Sequence, residues 1–160
     1  MKTKVHKTNA MRLLETAGVS YRSATYEVDE NDLGGAHVAS LMGQAPEQVF
    51  KTLVLKGERN GHIVCCIPSS CELDLKKVAR VAGDKRVEMI AVKELLPLTG
   101  YVRGGCSPLC MKKQFPTYID ETAMLFDEIA ISAGERGTQI IVNGEDLARL
   151  IGASLVDLCA

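Results

Sequence analysis

No stretch of this chain approaches the ~20 consecutive apolar residues that a membrane span needs, so no segment is expected to cross a bilayer. The start, Met1-Lys2-Thr3-Lys4-Val5-His6-Lys7, is basic but lacks the apolar segment of a secretory signal. The expected compartment is therefore the cytoplasm. Internal repeats, low-complexity runs and linkers are missing as well, as is any recognisable Ser/His/Asp or Cys/His set for nucleophilic catalysis. Cys106 and Cys110 have no second cysteine pair to match them, and His62 is the only further ligand candidate. Closed zinc sites want four ligands in recognisable pairs, so neither metal nor cofactor is expected. With no secretory signal and ample apolar content, the six cysteines read as free thiols rather than as a disulfide framework.

What is present suits one soluble domain spanning residues 1–160. The composition is 46% apolar and 24% charged, and a chain of this length buries roughly 70% of its unfolded surface. The net charge of −1 hides a strong asymmetry: residues 76–113 carry nine basic and three acidic side chains, whereas residues 114–160 carry two and eight. An anionic partner is expected to meet the basic block.

Hydrophobic spacing divides the chain into short elements. Thr8 caps a helix that presents Met11, Leu14 and Ala17. Ser20 to Val28 alternates as a strand with Arg22, Ala24, Tyr26 and Val28 on one side, and leads into an acidic exit at Glu27, Asp29, Glu30 and Asp32. Ala36 to Met42 is helical. Val49 to Lys56 and His62 to Ile67 form a hairpin, in which Cys65 and Cys66 point to opposite faces. Asp74 caps a helix ending at Gly83 and carrying Lys76, Lys77 and Arg80 on its polar side. A strand at Val87–Met89, a helix from Val92 to Leu96 and a strand at Pro116–Ile119 follow, and Asp120 caps a short helical turn. A second hairpin joins Asp127–Ser132 to Thr138–Val142, and Asn143 caps a last helix from Glu145 to Ile151. Interspersed helices and hairpins predict an α+β domain around a mixed, largely antiparallel, barrel-like sheet.

Two features stand out as candidate chemistry. Gly100 to Pro116 reads Gly-Tyr-Val-Arg-Gly-Gly-Cys-Ser-Pro-Leu-Cys-Met-Lys-Lys-Gln-Phe-Pro, a turn whose bare amides can converge on an anion or a polarised carbonyl oxygen. Lys51 projects from a strand that is apolar on both faces, which is costly unless its ammonium reaches a cleft.

Phe50-Lys51-Thr52-Leu53, Asp74-Leu75-Lys76-Lys77-Val78-Ala79, Val87-Glu88-Met89, Gly100-Tyr101, Arg103-Gly104-Gly105, Ser107-Pro108-Leu109, Lys112-Lys113 and Pro116-Thr117 together resemble the YbaK family. These are bacterial Cys-tRNA(Pro) deacylases, related to the editing domain of prolyl-tRNA synthetase. The likeness runs from the first helix to about Leu158. It implies a compact domain that hydrolyses the ester of mischarged tRNA in trans, with the substrate's own thiol as nucleophile. By position it makes Lys51, Gly104 and Gly105 catalytic, and Tyr26, Pro108, Ser132 and Asp146 substrate-binding. Lys76, Lys77, Arg80, Arg103, Lys112 and Lys113 would meet tRNA phosphates. The implied partners are tRNA(Pro) and prolyl-tRNA synthetase, with neither DNA nor membrane and with a monomer expected. Cys106 and Cys110 stand where relatives more often carry an apolar residue and a glycine.

Overall fold

The computed structural model describes residues 6–29, 31 and 33–160; the basic start at 1–5 and the acidic positions Glu30 and Asp32 lie outside them. Side-chain oxygens open the helices as the sequence predicts. Thr8 Oγ1 accepts the Met11 amide at 3.3 Å at the head of α1 (Asn9–Thr16). Asp74 accepts the amides of Lys76 and Lys77 at 3.0 and 3.2 Å before α3 (Leu75–Ala82). Asn143 accepts the Asp146 amide at 3.0 Å before α5 (Gly144–Ile151). Each cap satisfies a donor that the first turn leaves open. The remaining α-helices are α2 (Gly35–Met42) and α4 (Val92–Thr99), which runs on through Pro97 instead of stopping at Leu96, and Asp120 opens a 3-10 turn at Glu121–Leu125 as expected.

The strands fall into two sheets. β2 (Phe50–Gly57) and β3 (His62–Pro68) form the expected antiparallel hairpin at the centre of a five-stranded sheet. β4 (Val87–Met89) flanks β2 in antiparallel sense, while β5 (Thr117–Asp120) and then β8 (Ser154–Val156) add in parallel beyond β3. A three-stranded antiparallel sheet holds β1 (Tyr21–Thr25), β7 (Thr138–Val142) and β6 (Ile129–Ser132) in that order. One parallel bridge, Val49 to Ala130, links the two sheets, so they do not close into a barrel. β1 ends at Thr25, short of the expected Val28, and β8 has no counterpart in the sequence reading.

Period-2 alternation distributes the core. Phe50 and Val54 of β2, Cys66 of β3, and Ile129, Ile131, Ile140 and Val142 of the smaller sheet share one cluster with α1 and α5. Leu55, Ile63, Cys65 and Ile67 look the other way, onto Val78 and Ala79 of α3. Cys65 and Cys66 thus serve different cores, as their adjacency requires. The outer face of the smaller sheet carries Ala130 and Ile141, and packs with Val49 and with Ala39 of α2.

Asp120 secures the end of the chain. It is buried, accepts the Leu158 amide at 2.9 Å, and takes further hydrogen bonds from the Thr122 amide and hydroxyl. Burial pushes its pKa up, but the hydrogen bonds from Thr122 and Leu158 more than offset this and leave it below the ordinary carboxylate value. A carboxylate depressed in this way stabilises the fold above its unfolded pKa, and that contribution is lost as pH falls through the folded value. Urea denaturation should therefore show stability falling below about pH 4, with a shallower fall in Asp120→Asn.

Cys110 is the only non-glycine residue among those described with a positive φ, at 60°. An L-residue pays roughly 1–2 kcal/mol there, against roughly 0.5–1 kcal/mol for the extra chain entropy of glycine. Cys110→Gly is expected to raise stability by up to about 1 kcal/mol, or a few degrees in melting temperature. An unchanged or lower melting temperature would mean that the thiol contributes packing of its own.

Candidate functional site

The site arises where β2 runs out of neighbours. β4 pairs with it only from Leu55 to Gly57, and the link to β6 lies at Val49. Backbone groups alternate between the two edges of a strand. Val54 O accepts the Ile90 amide at 3.3 Å on the β4 side, so the amide and carbonyl of Thr52 face the same edge, where no strand pairs among the described residues. A cavity of about 530 Å³ fills this gap. Its walls are β2 from Val49 to Val54, the approach to α2 with Leu33, Gly34 and Val38, the segment from Met89 to Leu95, and the glycine turn.

Lys51, Tyr26, Ser132, Arg103 and Gly104 all line this cavity. Lys51 is half-buried and has neither ion-pair nor hydrogen-bond partner among the described residues. Ser132 and Gln139 are direct cross-strand partners. They extend the sheet face that carries Ala130 and Ile141, and so present polar groups where that apolar face meets the cavity. Ser132 Oγ accepts the Gly134 amide at 3.1 Å, which leaves its hydroxyl proton free to donate. Gln139 is 5% exposed, and its Oε1 has no hydrogen-bond partner among the described residues. A buried acceptor left open costs stability. Gln139 was not among the candidates read from the sequence, although a polar residue within a strand and directly before the apolar run Ile140-Ile141-Val142 was the available signal.

The other sequence candidates lie elsewhere. Gly105 does not line the cavity, and its amide donates to Val102 O at 3.0 Å. Its missing side chain has a packing reason: an added Cβ would meet the Glu135 and Arg136 backbone at 3.1 Å. Of the two glycines, Gly104 lines the cavity, while the Gly105 amide is already taken by Val102 O. Pro108 is buried beside a separate recess with Leu13, Phe115 and Leu150. Asp146 borders a third recess near Gly18 and pairs with Arg149 at 3.4 Å. Lys77 is held by Asp157 at 2.8 Å and Cys159 O at 2.7 Å. Lys76 and Arg80 are exposed on α3. The stem of Lys112 crosses Gly100, and Lys113 sits over the Phe115 ring at 5.9 Å. None of these five basic residues lines the cavity.

Two cations, Lys51 and Arg103, line the cavity, and among the described residues no carboxylate or histidine lines it, which favours an anionic or electron-rich ligand. Cys106 also lines it. Burial, with Cys66 nearby, pushes its thiol up to about 12, so it stays protonated and is a poor nucleophile. Among the described residues no group of three or more His, Cys, Asp or Glu is placed to share a metal.

The family described as an aminoacyl-tRNA editing domain matches residues 35–150. Over 152 residues, 95% of this chain and 93% of the relative, the sequence is 44% identical to EbsC of Enterococcus faecalis, named provisionally as a Cys-tRNA(Pro)/Cys-tRNA(Cys) deacylase. YwhH of Bacillus subtilis, an uncharacterised protein, is 24% identical over 122 residues, 76% of this chain and 77% of its own length. A crystal structure of a provisionally assigned trans-editing enzyme for prolyl-tRNA synthetase has a TM-score of 0.81 at 24% identity, covering 97% of this chain and 99% of that one. The α+β fold is the YbaK type that the sequence motifs imply.

Proposed function

The chain belongs to the aminoacyl-tRNA editing domain family, and from that premise we propose that it hydrolyses mischarged Cys-tRNA(Pro) in trans, releasing cysteine and free tRNA(Pro). The observation that carries the reading is one cavity that joins Lys51, the Gly104 turn and the Gln139 acceptor, where among the described residues neither Lys51 nor Gln139 Oε1 has a partner and no activated nucleophile lines the wall.

An aminoacyl ester is already activated, so positioning and charge stabilisation supply much of the acceleration. In the proposed reaction the substrate cysteine thiol attacks its own ester carbonyl. The carbon–oxygen bond to the terminal ribose breaks, the ribose oxygen leaves with the thiol proton, and water then opens the resulting thiolactone to free cysteine. Gly104 N–H steadies the developing oxyanion, while Lys51 binds the electron-rich terminal nucleotide. Ser132 and Gln139 fix the aminoacyl group, and Tyr26 and Arg103 stand at the rim. The exposed Lys76, Arg80, Lys112 and Lys113 are left for phosphates farther along the acceptor stem, which makes binding salt-dependent. The proposed setting is the cytoplasm, as a monomer, with prolyl-tRNA synthetase assisting tRNA selection.

The test is a deacylation panel of Cys-tRNA(Pro), Cys-tRNA(Cys), Ala-tRNA(Pro) and Pro-tRNA(Pro), run with wild type and Gln139→Leu. Cysteine release from Cys-tRNA(Pro) is expected. Gln139→Leu should lower kcat/KM by about tenfold or more through the lost hydrogen bond, without loss of stability because Oε1 has no partner to abandon. Release of alanine alone would move the substrate to Ala-tRNA(Pro), and binding without release would make the protein a non-catalytic module.

A further inference from the structure

Two thiols outside the cavity meet where the end of the chain crosses the loop after β3. Leu73 and Cys159 form an antiparallel bridge. It is flanked by hydrogen bonds from the Ala160 amide to Glu72 O and from the Asp74 amide to Leu158 O, both 2.9 Å. Opposed residues of such a bridge project to one face. Cys71 closes a turn just before this bridge, its amide on Pro68 O at 3.0 Å, and its thiol lies within hydrogen-bonding reach of the Cys159 thiol. Both cysteines are half-buried and pack on the core beneath α3, so solvent reaches them while the backbone holds them in place.

We propose that Cys71 and Cys159 form a reversible disulfide that ties the loop after β3 to the C-terminal residues, with a peroxide or a low-molecular-weight disulfide as oxidant. With hydrogen peroxide, the Cys71 sulfur attacks one peroxide oxygen, giving Cys71 sulfenic acid and one water. The Cys159 sulfur then displaces the sulfenic hydroxyl, which leaves as a second water with the Cys159 proton. With a small disulfide, Cys71 forms the mixed disulfide and releases one thiol, and Cys159 resolves it and releases the other. The order follows from the surroundings. Burial, the Asp120 charge and the Cys71 thiol all hold the Cys159 thiol well above its ordinary pKa, so Cys159 keeps its proton and acts second.

The remaining cysteines are poor competitors. Cys65, Cys66 and Cys106 are buried, each with its thiol pushed up to about 12 by that burial. Cys110 is exposed and stands at the far end of the glycine turn.

The full chain is incubated with hydrogen peroxide or oxidised glutathione, alkylated, and digested with trypsin without reduction. The expected product joins peptide 60–76 to peptide 150–160, and it disappears in both Cys71→Ser and Cys159→Ser. A melting temperature raised by about 5–10 °C on oxidation is expected in wild type, reversed by dithiothreitol and absent in either variant. Three results would overturn the proposal: complete alkylation of peptide 150–160 after oxidation, a cross-link that survives in Cys71→Ser, or recovery of the disulfide only between two chains.

Discussion

Lys51→Ala is expected to lower the rate of ester hydrolysis by about 10²–10³-fold, the scale seen when one preorganised electrostatic contact is removed from an active site. The same change should leave the melting temperature unchanged or slightly higher. Lys51 is half-buried on β2 and has no partner among the described residues. Its desolvation is therefore uncompensated in the free protein, and its removal strands no carboxylate. Loss of function with retained stability is the mark of a group placed for a ligand. Lys51→Arg should restore little, because the planar guanidinium fork cannot present its charge and donors as a compact ammonium does. Single-turnover deacylation alongside thermal melts would check both halves. Wild-type rates, or a rate loss matched by a lower melting temperature, would remove Lys51 from the proposed mechanism.

The position of Lys51 was legible because its signal is local. Alternation across Phe50 to Leu55 puts apolar residues on both faces of β2, and in the structure these pack into different cores. The same rule separated Cys65 from Cys66, and cap chemistry located the starts of α1, α3 and α5. Partner choice is not local. Nothing in Ser154-Leu155-Val156 says that it adds to β5, because a three-residue strand after a helix has too few positions to display a period. The division into two sheets depends on where pairing stops, between the end of β4 and the bridge at Val49, and that interruption creates the cavity. Gln139 belongs to the site only because β7 pairs with β6 in a register that sets it beside Ser132. Gly105 carries the same lesson in reverse. Its neighbours in sequence suggested an amide donor, but its neighbours in space explain why it is glycine.

Gly105→Ala is the second large effect expected, and it should differ in kind from Gly104→Ala. At Gly105 an added Cβ lies 3.1 Å from both the Glu135 carbonyl carbon and the Arg136 nitrogen, and 3.2 Å from Glu135 Cα. These are backbone atoms of the turn between β6 and β7, so no side-chain rotation relieves the contact. Overpacking of this sort costs about 1–3 kcal/mol, or up to roughly 10 °C in melting temperature for a chain of this size. The strain should also reach Gly104, whose amide is the proposed oxyanion donor. Tyr101 resists that shift from the other side: its hydroxyl, kept protonated by burial that pushes its pKa up to about 12, donates to Leu109 O across the turn. At Gly104 itself the nearest atoms are side-chain atoms of Leu33 and Arg136 at 3.4–3.5 Å, and the difficulty is a φ of +84°. Alanine there should cost about 1–2 kcal/mol through the backbone, with kcat falling more than the melting temperature alone would suggest. The two glycines share one turn, so the double variant should be less destabilised than the single effects added together. Melts and kcat for the three variants separate the roles. A Gly105→Ala protein that melts like wild type would show that the glycine turn does not press on the β6–β7 turn.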